Sequence, residues 1–303
     1  MNLDYKENLP EWFREQIELD LVLSDDIDSL VSCALLKKAK DWDIKYFYNF
    51  EKCYASKALK NGHNERCWVD VAILNGEKAF DNHVSRVSWF DDFNNQMINP
   101  NTIINVSSEN YIEKYSGSTA LLIWSLYDLP LPVTEEGKMV LLTIDSTFLG
   151  HYIERYEEQN KFYLCDMFGF EELYEVLERH EKCEFDNIIK KYNLNDTIVI
   201  SNKGNLHCNM DLKKIGELLG VKIELPNDSF LLWKKYEIKE EIVEEYMNCT
   251  SDIARNIFSL AFTYKRKVRY SKEKINKVKQ KKEKDDYERF YECIHRFNGK
   301  GIA

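Results

Sequence analysis

The sequence predicts an α/β fold whose sheet is mostly parallel. Short apolar runs with strand character alternate with runs of helical period through the first half of the chain, the pattern of strands covered by helices. At 303 residues the chain can bury a sizeable core. Its 44 % apolar and 31 % charged residues separate it from disordered and fibrous chains.

In chain order, residues 19–24 (Leu-Asp-Leu-Val-Leu-Ser) read as a short buried strand. Residues 29–40 follow with Leu30, Cys33, Ala34 and Leu36 at helical spacing. Residues 44–50 are strand-like, with Tyr46 and Tyr48 favouring that state, and residues 68–74 form another apolar strand. Residues 118–129 and 135–144 read as helices. Beyond residue 150 the pattern changes. Residues 171–191 read as Glu/Lys-rich helices, 196–201 as a strand, and 210–219 as a helix stopped by Gly220. From Ile238 onward the pattern is almost wholly helical. The expected division is therefore a parallel-sheet domain over 1–150 and a smaller, helix-rich domain over 151–303.

Charge is unevenly spread. The chain carries 42 Lys and Arg against 52 Asp and Glu, a net charge of −10, which argues against a general DNA-coating protein. Yet the stretch that opens at Lys265 and closes at Lys284 holds eleven Lys and Arg against two Glu, with Tyr264 and Tyr270 beside it. A helix of that kind can track a phosphate-rich partner, its tyrosines stacking on bases; the plainer expectation is a solvated helix face. Tyr287, Phe290, Tyr291 and Ile294 are expected to pack the end of that helix. The eight cysteines form no Cys-x-x-Cys pair, and the polar N-terminus has no signal pattern. With no apolar run long enough to span a bilayer, a cytoplasmic protein with free thiols and no membrane contact is expected.

Four acidic blocks carry the chemistry. Asp26-Ile27-Asp28 lies where the first strand meets the first helix, the side of an open α/β sheet on which ligands bind. Both carboxylates can reach a hard cation; as helix caps they would need none. Asp70 sits within an apolar strand, where a carboxylate is costly unless paired or metal-bound. Asp81-Asn82-His83 places an acid where it can orient the imidazole. Asp145-Ser146-Thr147-Phe148 ends a further apolar stretch.

The order and setting of these blocks resemble the DHH phosphoesterase family, within the oligonucleotide phosphodiesterase superfamily, over roughly residues 18–150. Residues 115–120 (Tyr-Ser-Gly-Ser-Thr-Ala) are similar to the Ser/Thr-rich helix start of that family. The resemblance implies a hydrolase with Mn²⁺ or Mg²⁺ held by Asp26, Asp28, Asp70, Asn82 and Asp145, and Asp70 bridging two ions. Asp70 and His83 are the implied catalytic residues, and His83, Ser118 and Lys203 the implied substrate contacts. The implied reaction is attack of a metal-activated water on a short oligonucleotide, a cyclic dinucleotide or another small phosphoester. The chain departs from the family pattern in three places. Val22 stands where a metal-binding His is common, Asn82 replaces the first His of Asp-His-His, and Val221-Lys222-Ile223-Glu224 stands where a Gly-Gly-Gly-His motif would follow Gly220. The alternative is thus a degenerate relative that binds nucleotide or nucleic acid without turnover.

Overall fold

The computed structural model describes residues 1–59, 64–88, 91–243, 257–264 and 266–274. The strands are β1 (Leu19–Leu23), β2 (Asp43–Tyr48), β3 (Lys52–Ser56), β4 (Glu65–Val69), β5 (Lys78–Phe80) and β6 (Met97–Ile98). After them come β7 (Val199–Ile200), β8 (Leu206–His207), β9 (Phe230–Ile242), β10 (Ile257–Tyr264) and β11 (Lys267–Glu273). The helices are α1 (Leu3–Lys6), α2 (Ile27–Lys40), α3 (Pro100–Ile103), α4 (Thr119–Leu126) and α5 (Glu135–Thr143). They continue as α6 (Glu154–Lys161), α7 (Glu171–Arg179), α8 (Lys182–Tyr192) and α9 (Leu212–Leu219).

Among the described residues the main sheet runs β10-β11-β9-β3-β2-β1-β4-β5-β6. β1 is buried along its whole length and lies between β2 and β4, both parallel to it. β5 and β6 extend the parallel region. From β2 outward every pairing reverses: β3, β9, β11 and β10 are joined antiparallel. The sheet is therefore mixed, not mostly parallel, and the chain beyond residue 150 supplies three of its strands as well as α6–α9.

The helical expectation from Ile238 onward fails over the described residues. Glu and Lys at three- and four-residue spacing imitate a solvated helix there. In fact Val268 and Tyr270 alternate with the exposed Arg269, and β11 pairs along β9 from Tyr236 to Ile242. Strand preference depends on the neighbours a strand meets, and this one meets them only in the folded chain. Positions 275–284 of the basic stretch, and Tyr287, Phe290, Tyr291 and Ile294, lie outside the described residues. The part that is described is a strand whose cations are matched by β9: Glu240 pairs with both Lys267 and Arg269.

Other expectations hold. α2, α4, α5, α7, α8 and α9 fall where helical period placed them, and α9 ends on Gly220 at φ 67°, a left-handed stop suited to a residue without a side chain. Within 196–201 only the two residues of β7 are strand, paired with β8. The apolar run at 68–74 leaves the strand state after Val69. No helix among the described residues is long and apolar enough to cross a membrane. Cys33, Cys53, Cys67, Cys165, Cys183 and Cys208 are free thiols.

The two faces of the sheet are covered differently. One carries the large core formed with α2, α4, α5 and the helices that follow. The other carries an aromatic cluster in which Phe258 of β10 lies 4.8 Å from Trp68 and 4.7 Å from Tyr236, centroid to centroid. The sheet curls far enough for its β10 edge to reach the segments leaving β4 and β5. Leu74 N donates to Phe258 O (2.8 Å), Leu260 N to Ala72 O (2.9 Å) and Phe262 N to Val84 O (2.9 Å). This contact seats the C-terminal strands beside Asp70 and His83.

Candidate metal centre

Each acidic block sits where a parallel strand ends or where the chain crosses that end. After β1, Asp26 caps α2, its Oδ1 accepting from Ser29 N at 3.0 Å. Two residues on, Asp28 points to a different helix. Its two oxygens accept from Thr119 N (2.7 Å) and Ala120 N (2.8 Å), the first amides of α4. A carboxylate there satisfies amides that have no partner within their own helix and meets the positive end of the helix dipole. Asp28 is 1 % exposed, so removing it leaves both amides buried without acceptors. Asp28→Ala is expected to lower stability by about 2 kcal/mol or more in urea unfolding without divalent metal; an unchanged midpoint would show that the amides find other acceptors.

Asp70 closes β4. Its amide still pairs across to Phe80 O at 2.8 Å, but its φ of 60° turns the chain out of the sheet. Left-handed backbone is uncommon for a residue with a side chain and is better tolerated by Asp than by most. Its Oδ1 accepts from the buried Thr119 hydroxyl at 3.0 Å. Asp81-Asn82-His83 follows β5 and is held from α3. Asn99 Nδ2 donates to Asp81 Oδ2 (2.8 Å) and to His83 O (2.7 Å), and Asn101 Nδ2 donates to Asn82 O (2.7 Å). The Asp81 carboxylate then meets His83 twice, at the backbone amide (3.0 Å) and at ring Nδ1 (2.8 Å). That contact orients the ring and leaves Nε2 for other work. Asp145 sits in a kink after α5, where it and Ser146 are both left-handed, at φ 47° and 54°. Its Oδ2 accepts from Asn82 Nδ2 at 2.7 Å, and the same amide donates to Gly117 O at 2.8 Å.

Carboxylates brought this close repel one another. Burial pushes Asp70 up to about 7, His83 working against the rise while Asp145 and Asp81 add to it. Burial also raises Asp28 well above the usual carboxylate range, with Asp70, Asp145 and Asp26 contributing. Asp26 and Asp145 are shifted upward as well, by desolvation first and then by their acidic neighbours. These two residues are exposed, so solvent screens their share of the repulsion. Burial disfavours the His83 imidazolium, yet Asp81, Asp70 and Asp145 outweigh it and lift the ring to about 10.

These residues fit a divalent cation. The Asn82 amide oxygen is buried without a hydrogen-bond partner, while its nitrogen is fully engaged. An unpaired carbonyl-type oxygen beside carboxylates is a hard-cation donor, and the oxygen-rich set suits Mg²⁺ or Mn²⁺ better than zinc. Asp70, Asp81 and His83 each offer a ligand atom within 4.8 Å of the others, a set that includes Asp81, which the motif pattern did not assign to metal. Val22 is buried in the aromatic cluster with Tyr48, Trp68 and Phe258.

Other expected residues fall elsewhere. Ser118 is fully buried, and its hydroxyl accepts from Leu121 N at 3.1 Å as the cap of α4. Lys203 is exposed in the β7–β8 turn and lines neither cavity beside the centre. One of those cavities, about 360 Å³, opens over Asp26 and Asp145 and is walled by residues 194–197. The other, about 40 Å³, lies between Asp70, His83 and the C-terminal strands. A larger cavity of about 980 Å³ along α9 holds His207 and Cys208 but none of the site carboxylates. Sequence reasoning missed Thr119 as a partner of Asp70, Lys114 as the cation near Asp145, and the Asn99–Asn101 brace. Asn-Pro-Asn at 99–101 signals a capped helix start but not what it holds. No family model, characterised protein or solved structure matches this chain.

Proposed function

We propose that the chain is a divalent-metal-dependent phosphodiesterase, a divergent relative of the DHH phosphoesterases, acting on a small phosphoester or a short nucleic acid. The observation that carries this reading is the convergence of Asp26, Asp70, Asp81–His83 and Asp145 beside the unpaired Asn82 oxygen. Such crowding is unfavourable without a cation to offset it. A bound divalent ion would acidify a water for attack on phosphorus and neutralise phosphate charge. Asp26, Asp70, Asp145 and Asn82 would hold it. Thr119 fixes the Asp70 carboxylate, and Asp81 fixes the His83 ring with Nε2 directed away from their shared bond. His83, its ring held at Nδ1 by Asp81, would give its Nε2 proton to the departing oxygen.

A second reading, nucleotide or nucleic-acid binding without turnover, is favoured by one observation: both Asp28 oxygens are committed to α4, which shortens the ligand set. An assay of bis-p-nitrophenyl phosphate, short oligonucleotides and cyclic dinucleotides with Mn²⁺, Mg²⁺ or EDTA separates the two. Hydrolysis that depends on metal is expected. Absence of turnover with every substrate would leave only the binding reading.

A further inference from the structure

The small cavity beside the metal centre has an arginine on its wall that no acidic motif announces. It encloses about 40 Å³ and is lined by Phe50, Asp70, His83, Ala261, Arg269 and Ser271, among others. Strand alternation sets the direction of Arg269. Val268 and Tyr270 are buried on one face of β11, which leaves Arg269 on the other, opposite Ala261 of β10 and Glu240 of β9. Ala261, having only a methyl group, leaves room in front of the guanidinium. Glu240 Oε2 holds Arg269 Nη2 at 3.1 Å, so the side chain is braced while most of its donors stay available. Among the lining residues Ser259 and Ser271 share a hydrogen bond of 2.7 Å, and the Tyr48 hydroxyl donates to Ser271 at 3.3 Å.

The space suits one compact group. A water needs roughly 10–15 Å³ of such volume, so the cavity holds about three waters or a single tetrahedral oxyanion, and no nucleobase. A guanidinium braced on one side, with the His83 ring on the other, is a pairing for phosphate oxygens.

We propose that Arg269 binds the phosphate of the substrate, holding one phosphoryl group in this cavity against His83. The inference rests on the phosphoesterase reading only for the identity of the anion. It assigns the described end of the basic stretch a local task, gripping one phosphate, in place of tracking a long polyanion.

Binding of inorganic phosphate in Mg²⁺ buffer, followed by calorimetry, tests it. The wild type is expected to bind, Arg269→Gln to weaken binding about tenfold or more, and Arg269→Lys to restore part of it. Ala261→Glu, which sets a negative charge before an intact arginine, is expected to match Arg269→Gln, so the outcome does not rest on one variant's folding. Equal affinity in wild type and both charge-altering variants, or no phosphate binding by the wild type at millimolar concentration, would overturn the assignment. Turnover is scored separately. A wild type that binds phosphate through Arg269 but hydrolyses nothing ends the enzyme reading and leaves this subsite standing. Hydrolysis with unchanged KM in Arg269→Gln does the reverse.

Discussion

Asp70→Asn is expected to reduce metal-dependent turnover at least about a hundredfold while leaving the fold intact. Loss of groups that merely support metal ligands costs 10- to 100-fold, and a residue that contacts the ion directly is expected to cost no less. Asparagine keeps the shape of the side chain and retains an oxygen for the Thr119 hydroxyl, so the bond that fixes the position survives. It also tolerates left-handed backbone, which the φ of 60° at this position demands. What disappears is the negative charge at the centre of the cluster. Kinetics at saturating Mn²⁺ and Mg²⁺, with circular dichroism as the control for folding, measure the effect. Wild-type rates in Asp70→Asn would remove Asp70 from the chemistry and, with it, the proposed centre.

Divalent metal is expected to raise the melting temperature, and to raise it more at pH 8 than at pH 5. In the metal-free protein Asp70 is lifted from 3.8 to about 7, and Asp26, Asp28 and Asp145 are shifted the same way. A carboxyl raised on folding contributes stability fully present below its unfolded pKa. That contribution fades as pH rises through the folded value. His83, raised from 6.5 to about 10, adds a term that is whole below 6.5 and fades above it. Both trends weaken the metal-free protein between pH 5 and 8. Carboxylates held low by cations, such as Glu77 beside Arg66, Glu135 beside Arg179 and Asp128 beside Lys6, are already ionised in this window and stay flat. A cation reverses the slope, because it binds the deprotonated ligands. At a hundred times its dissociation constant it contributes about 2.7 kcal/mol. For a chain of 303 residues that is a shift of about 4 °C. Scanning fluorimetry at pH 5, 6.5 and 8 with EDTA or Mn²⁺ reads it. A metal shift that shrinks with rising pH would contradict the acidic-centre assignment.

How much of this was readable from residues alone depended on whether the cue was local. β1 was legible because burial on both faces leaves a continuous apolar run, and α9 because its left-handed glycine stop is a short-range signal. Asp70 and Asp145 could be named because each stands in or at the end of an apolar stretch where a carboxylate is costly, and Asp26 because it lies where the first strand meets the first helix. Their partners could not. Asp28 was named as a metal ligand, with a cap of its own helix as the alternative, whereas the amides it accepts from belong to α4, ninety residues away in sequence. The strands β9–β11 were read as helix because their burial comes from β3, from each other and from the segments after β4 and β5. Arg269 was visible only as one charge among many, since its direction follows from a register that no single segment encodes.

The seating of β10 against the segments that leave β4 and β5 also orders events during synthesis. The acidic residues, from Asp26 to Asp145, emerge from the ribosome more than a hundred residues before Ile257 of β10 does. Domains acquire structure as they emerge, N-terminal portions first. On the proposed function, a nascent chain would gather its carboxylates while the strand that carries Arg269 is still unmade. Joining β9 to β3 closes a gap of well over a hundred residues, the kind of distant pairing that forms late. On the proposed function, phosphate capture would begin only when these late strands dock. A half-made chain would then carry the carboxylates without Arg269, and competence would arrive with the final fold.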